Sequence, residues 1–277
     1  MSNQDSHVSN VSRCDRGRKE SRLDHWEEFW KQKQDVREVY SNADRILRNL
    51  LKVTRLEGTR VLEIGAGTGR DSLPLVDHGA IVTQLDYSQN ALTLLRQIAD
   101  VEQAPVTIVG GDTFALPFRE GTFDIVFHQG LLEHFRHPQA VALLRENIRV
   151  LKPGGLLLVD VPQRYHPYTV AKHLLMALDR WFAGWERSFS IFGLRNTLRA
   201  EGLTIVHSYG EWMYPSFPYR VTREIAKAIG VTLPLHPVLL KSFARLRSVI
   251  RARLLQTRLP LHTGISIGVI GKKPESN

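Results

Sequence analysis

The first stretch in which residue type and spacing together suggest chemistry is Glu63-Ile64-Gly65-Ala66-Gly67-Thr68-Gly69. Glycines at alternate positions let the backbone turn tightly and leave no Cβ in the path of a ligand. A dinucleotide-binding turn spaces its glycines G-x-G-x-x-G. Here the third glycine comes one residue earlier and Arg70 follows. Glu63, two residues before the first glycine, would repel a pyrophosphate and attract an ammonium or sulfonium cation. The pattern points away from a nicotinamide dinucleotide.

Four more marks follow in order. Asp86, in Leu85-Asp86-Tyr87-Ser88, stands about 20 residues past the glycine turn, where a carboxylate grips a ribose diol. Gly111-Asp112-Thr113-Phe114 offers a carboxylate for an adenine amino group and an aromatic face for the ring. Phe123-Asp124-Ile125-Val126-Phe127-His128-Gln129 is an apolar run that opens into polar residues. Leu151-Lys152-Pro153-Gly154-Gly155 is a turn feeding another apolar run.

Past the fourth mark, His128, Gln129, Glu133 and His134 cluster. A histidine titrates near neutral pH and can take a proton from a hydroxyl. His134 and His128 are therefore candidate bases, with Glu133 beside them; the alternative is that these side chains cap a helix or contact the cofactor. Cys14, the single cysteine, lies in a polar leader, which excludes base methylation through a cysteine adduct as well as an internal disulfide. An N-P-P-Y motif for amino-group methylation should begin at Gln129, but the chain reads Gln129-Gly130-Leu131-Leu132. No metal is called for.

The five marks, in this order and spacing, resemble the class I S-adenosylmethionine-dependent methyltransferases, especially the small-molecule enzymes of the ubiquinone and menaquinone type. The resemblance covers roughly residues 55–160. It implies that Glu63, Gly65, Ala66, Gly67 and Gly69 border the methionine part of S-adenosyl-L-methionine. It implies further that Asp86 binds the ribose and Tyr87 flanks the adenine. Asp112, Thr113 and Phe114 would hold the adenine, with His128 and Gln129 lining the floor near the methyl group. Methyl transfer is an in-line substitution in which the cofactor brings the reactive group and the protein brings alignment.

The elements that must position these residues alternate. Apolar runs at 60–64, 81–85, 106–109, 124–127 and 156–159 read as strands, with helices over 88–99 and 138–151 between them. Such alternation implies a parallel sheet covered on both faces. Two further runs, 203–207 and 265–270, read as terminal strands. The expected fold is α/β, Rossmann-like and doubly wound, and the resemblance makes it a mostly parallel seven-stranded sheet whose last strand is antiparallel. Residues 1–20 read as a disordered leader and 21–55 as an N-terminal helical segment, with 24–52 helical. Residues 56–277 read as the methyltransferase domain, with insertions over 162–190 and 210–262.

An apolar fraction of 43% permits a sizeable core, and no apolar run reaches the roughly 18 residues of a membrane span. The leader lacks an apolar signal core, and a cytoplasmic protein is expected. The net charge is +9, and the interval between Glu224 and Glu275 holds nine Lys and Arg and no acid, so the imbalance is local. Within it Leu239, Phe243, Leu246, Ile250 and Leu254 recur at helical spacing, with Arg247 and Arg253 beside them. A basic helix with an apolar stripe can lie on an anionic membrane, and residues 239–258 are the candidate contact at its inner face; the same features fit a plain lid. Both insertions start where ligands sit in such sheets, at the carboxyl ends of the strands. The expected function is methyl transfer to a small, amphiphilic acceptor such as a quinone, a polyprenyl-linked compound or a lipid. A soluble metabolite or sugar as acceptor, or a non-catalytic cofactor-binding protein, are the alternatives. Nothing resembles a nucleic-acid-binding module, so nucleic acid is not an expected partner.

Overall fold

The computed structural model describes residues 22–32, 44–181, 183–212, 214–234 and 241–275. The leader over 1–20 with Cys14, and likewise Tyr40, Phe182 and Leu239, lie outside them.

Strands β1 (Arg60–Ile64), β2 (Ile81–Asp86), β3 (Thr107–Gly110), β4 (Phe123–Gln129) and β5 (Leu151–Pro162) pair in parallel. The last strand, β7 (Ser266–Lys272), runs antiparallel between β5 and β6 (Thr204–Glu211). The order across the sheet is β3-β2-β1-β4-β5-β7-β6. The expected fold class is therefore the observed one.

Successive residues of these strands point to opposite faces, and both faces are covered, which is why the strands read as unbroken apolar runs. Leu62, Ile64, Val126, Leu157 and Val159 pack with Leu143 and Leu144 of α5 (His137–Val150) and Leu194 and Leu198 of α7 (Ile191–Ala200). On the other face Val61, Val82, Ile125, Phe127 and Leu158 meet Ile46 and Leu50 of α2 (Asp44–Leu50) and Leu75 of α3 (Leu73–Val76). α2 is thus a full member of the helical layer.

Three shifts of the expected boundaries bear on the insertions and the N-terminal segment. The fifth strand extends to Pro162 because Asp160, Val161 and Pro162 continue the ladder with Gly268, Ile267 and Ser266. The sixth runs on to Glu211, so the second insertion starts at residue 212. Residues 24–52, expected as helix, hold two helices, α1 (Leu23–Gln32) and α2, with undescribed residues between.

α1 rests on the start of α4 (Gln89–Glu102) through one carboxylate. Glu27 accepts from the N–H groups of Gln89 at 2.7 Å and Asn90 at 3.1 Å, and from the Ser88 hydroxyl at 2.9 Å. Ser88 in turn caps α4 by accepting from the Ala91 N–H at 3.1 Å. The free N–H groups and positive end of a helix dipole stabilise an anion placed there.

The first insertion carries α6 (Pro167–Ala177), and the second carries α8 (Phe217–Ala228), α9 (Lys241–Leu255) and α10 (Pro260–Thr263). α10 lies so close on β6 that a Cβ at Gly210 would stand 2.0 Å from the Pro260 carbonyl oxygen. α9 is tethered by its arginines. Arg251 pairs with the Glu211 carboxylate and donates to the Trp212 carbonyl at 2.8 Å, while Arg247 donates to the Tyr214 hydroxyl at 2.7 Å. Glu211 is only 1% exposed, and a buried carboxylate requires cations; Arg48 supplies a second one at 2.5 Å. Arg247, expected beside the apolar stripe, is turned toward the body. The described part of the stripe faces outward, with Leu246 57% and Ile250 49% exposed.

Glu27→Ala is predicted to cost about 1 kcal/mol, as loss of a helix cap does, and to speed hydrogen exchange in α1 while β4 and β5 stay protected. Burial opposes ionisation of Glu27, but the hydrogen bonds from Gln89, Asn90 and Ser88 outweigh it and hold its pKa below the ordinary value. The tether is therefore complete above the ordinary carboxylate range and weakens as pH falls through the lowered folded-state value. Unchanged exchange in α1 would contradict this.

Candidate active site

A cavity of about 630 Å³ opens at the carboxyl ends of β1, β2, β4 and β5. Its wall begins with the turn after β1, where Gly65, Gly67 and Gly69 all take positive φ, +65°, +55° and +65°. Gly67 is the most constrained, since a Cβ there would lie 2.5 Å from the Trp30 ring of α1. Its N–H donates to Asp86 Oδ2 at 2.9 Å, and the Ser88 N–H donates to Oδ1 at 2.9 Å. The glycine turn and the end of β2 are thereby locked together, with Asp86 facing the cavity.

Carboxylates are prominent in the wall of this cavity. Glu63, Asp71, Asp86 and Asp160 all line it, with Arg45 of α2 as the cation among them. Glu63 is 4% exposed and accepts from the Ser72 hydroxyl; burial, then the negative charge of Asp71, pushes its pKa well up. Burial also raises Asp86 and Asp71, against backbone hydrogen bonds in the first and Arg45 in the second. Asp160 accepts from the Tyr209 hydroxyl at 2.7 Å and lies 3.3 Å from Arg45 Nε, yet burial still lifts it to about 6. Arg45 also donates to the Ser266 hydroxyl at 3.0 Å. Buried acids outnumber their cation, so a ligand with positive charge relieves the site.

Tyr87, Asp112, Thr113 and Phe114 line the next part of the wall. Asp112 accepts from the Phe114 N–H at 2.9 Å, and the Phe114 ring meets Phe135 edge-on, centroids 4.9 Å apart. Gln129, Glu133, His134, Val161, Tyr168 and Arg220 also line the cavity. Tyr168 comes from α6 and Arg220 from α8, so both insertions reach the cavity, as their position after the strands implied.

Two expected residues do not line it. His128 is fully buried on the α5 side of β4, with both ring nitrogens lacking hydrogen-bond partners among the described residues. Burial drives its pKa down to about 3, so His128 stays a neutral core residue. The pleat is the reason: along a strand neighbouring side chains diverge, and Gln129 takes the position at the cavity. Gly69 supports the turn from behind, its carbonyl accepting from Gln84 Nε2 at 3.0 Å. His134 does line the cavity, 9% exposed, with Nδ1 unpartnered among the described residues and its ring edge-on to Trp26 at 5.0 Å. Burial lowers its pKa, keeping the ring neutral. Arg45 and Asp71 were not foreseen. For Arg45 the signal is a charged residue on the buried face Arg45, Ile46, Asn49, Leu50 of α2.

Residues 62–159 match the family model described as a methyltransferase domain. The curated relatives include a demethylmenaquinone methyltransferase of Renibacterium salmoninarum, 36% identical over 39% of this chain and 43% of that protein. A ubiquinone biosynthesis O-methyltransferase of Coxiella burnetii is 33% identical over 39% of this chain and 46% of its own length. A 2-methyl-6-phytyl-1,4-hydroquinone methyltransferase of Synechocystis is 30% identical over 58% and 52%. The chain therefore spans about half the length of these relatives. In fold it is similar to a SAM-dependent methyltransferase of Thermotoga maritima, with a TM-score of 0.58 at 18% identity over 91% of this chain and all of that one. Residues 62–159 thus match a methyltransferase domain, and the helices that follow β5 and β6 lie outside the matched residues.

Proposed function

We propose that the chain transfers a methyl group from S-adenosyl-L-methionine to a small amphiphilic acceptor of the quinol, polyprenyl or lipid kind. The observation that carries the reading is one cavity lined both by several carboxylates and by a histidine whose Nδ1 has no hydrogen-bond partner among the described residues. S-adenosylmethionine supplies, when bound, a methyl group activated by a sulfonium. The donor set fits it. Glu63 would meet the ammonium and Arg45 the carboxylate, and Gly65, Ala66 and Gly67 would leave room for the methionine chain. Asp86 would take the ribose hydroxyls, while Tyr87, Asp112, Thr113 and Phe114 would hold the adenine. Trp26 and Trp30 of α1 cover the site and exclude water, with residues 56–277 forming one domain beneath that cover.

His134 would take the proton of the acceptor hydroxyl, and Glu133 stands beside it. The names of the three relatives, which refer to demethylmenaquinone, to ubiquinone biosynthesis and to 2-methyl-6-phytyl-1,4-hydroquinone, support the acceptor class. The outward face of α9 supports an acceptor met at an anionic membrane, on its cytoplasmic side. Leu246, Val249, Ile250 and Leu254 are exposed there, and Arg245, Arg253 and Arg258 are exposed around them. Among the described residues no helix is long and apolar enough to cross a membrane, so contact would be peripheral.

Two outcomes test this. Incubation with methyl-labelled S-adenosylmethionine and a panel of hydroquinones and lipids is predicted to label a hydroquinone. His134→Ala should cut turnover by about 10²–10⁴-fold, the worth of a general base, with cofactor affinity retained. Label found only on water-soluble metabolites, or on nothing, would sink the acceptor class. In liposome flotation at low salt, the protein should rise with anionic vesicles and remain below with neutral ones. Leu246→Ser combined with Ile250→Ser should abolish flotation; a wild type that never floats contradicts the membrane contact.

A further inference from the structure

Beside His134 the cavity holds a second acid–base group whose surroundings come from the first insertion. Glu133 is 2% exposed, lines the cavity, and its Oε2 has no hydrogen-bond partner among the described residues. Its backbone carbonyl accepts from the Arg187 N–H at 2.9 Å, which pins the end of the insertion onto it. Next to Arg187, Glu186 forms a buried ion pair with Lys172 of α6 at 2.6 Å, the two side chains 6% and 1% exposed. Trp181 Nε1 closes the pair by donating to Glu186 Oε1 at 2.7 Å.

The groups that act on Glu133 are few. Glu186 and, from β5, Asp160 oppose its negative charge; Lys172 favours it, and Glu133 itself in turn favours the charge of Arg187. His134 is kept neutral by burial, and Tyr168 is held protonated, pushed up to about 12 by burial and by Glu186. Because Lys172 spends its charge on Glu186, it is a poor partner for a second carboxylate. Burial, followed by the charge of Glu186, lifts Glu133 to about 8. Near neutral pH it is an O–H donor, next to a histidine that is a lone-pair acceptor.

We propose that Glu133 presents its carboxyl group as hydrogen-bond donor to an oxygen of the acceptor, and that Lys172 is a positioning residue that acts by holding Glu186. The inference deepens the methyltransferase reading, on which it rests. It makes an acceptor oxygen, separate from the base, a determinant of specificity. Glu133 ionises as pH rises through about 8, so acceptor binding is strong below that value and weakens above it.

Infrared difference spectroscopy of the full chain, wild type against Glu133→Gln, reads this carboxyl directly. The carbonyl band of a protonated acid is expected at pH 7, fading as pH rises through about 8. It should move when a short-chain alkyl hydroquinone is added with S-adenosylhomocysteine bound. Lys172→Met should shift the midpoint to higher pH, since a charge favouring the anion is removed, and Lys172→Arg should restore it. Glu133→Ala should raise KM for the hydroquinone roughly tenfold or more, the cost of one buried hydrogen bond, with a smaller rise in Glu133→Gln, whose amide still donates. The proposal is overturned if the band is absent at pH 7 or indifferent to bound hydroquinone. It is equally overturned if Glu133→Gln lowers kcat about 10³-fold at constant KM, which would make Glu133 the base. Failure of the wild type to bind S-adenosylhomocysteine counts instead against the methyltransferase reading itself.

Discussion

The structure depends on keeping several carboxylates out of water at the ends of β1, β2 and β5. Glu63, Asp86 and Asp160 are each less than a tenth exposed, and isolated burial of an ionised carboxylate is strongly unfavourable. Three devices offset that cost. Backbone N–H groups of Gly67 and Ser88 hold Asp86, the Ser72 hydroxyl holds Glu63, and Arg45 with Tyr209 holds Asp160. The remaining imbalance raises the pKa values and leaves a cavity that favours a cationic ligand. The carboxylates that lack full compensation are thus the feature of the fold that would favour a cationic ligand.

That constraint explains the place of the N-terminal segment. α2 brings Arg45 to Asp160 and buries Ile46 and Leu50 against the sheet, so charge neutralisation and core packing come from one helix. α1 does the converse at the rim. Glu27 fixes it to the start of α4, which lets Trp30 lie against Gly67 and Trp26 against His134. The residues that hold the ends of β1 and β2 and those that cover the cavity are therefore mechanically linked through Ser88.

The sheet was legible in the sequence because parallel strands covered on both faces are short apolar runs, and the glycine turn, Asp86 and Asp112 to Phe114 sit at their ends. Strand ends were less legible. Asp160 and Glu211 are polar residues inside strands, and only their partners, Arg45 with Tyr209 and Arg48 with Arg251, justify them. His128 was misread as cavity floor because the pleat sends it to the core and Gln129 to the site. The direction of α9 was also hidden. An amphipathic pattern assigns the apolar stripe inward by default, but buried Glu211 draws Arg251 to the body and turns Leu246 and Ile250 to solvent. Arg45 pairs with Asp160 far away in the chain and Lys172 with Glu186 across the first insertion, and such pairings leave no local periodicity to read.

Calorimetric titration of the purified chain with S-adenosylmethionine and S-adenosylhomocysteine, repeated on Asp86→Ala, is the most direct test of the central claim. The account predicts that both ligands bind the wild type, the sulfonium form gaining from the surplus carboxylates. Asp86→Ala should weaken both by about tenfold or more, as loss of charged hydrogen bonds does. A folded wild type that binds neither ligand would contradict the account and leave the glycine turn with a structural role alone.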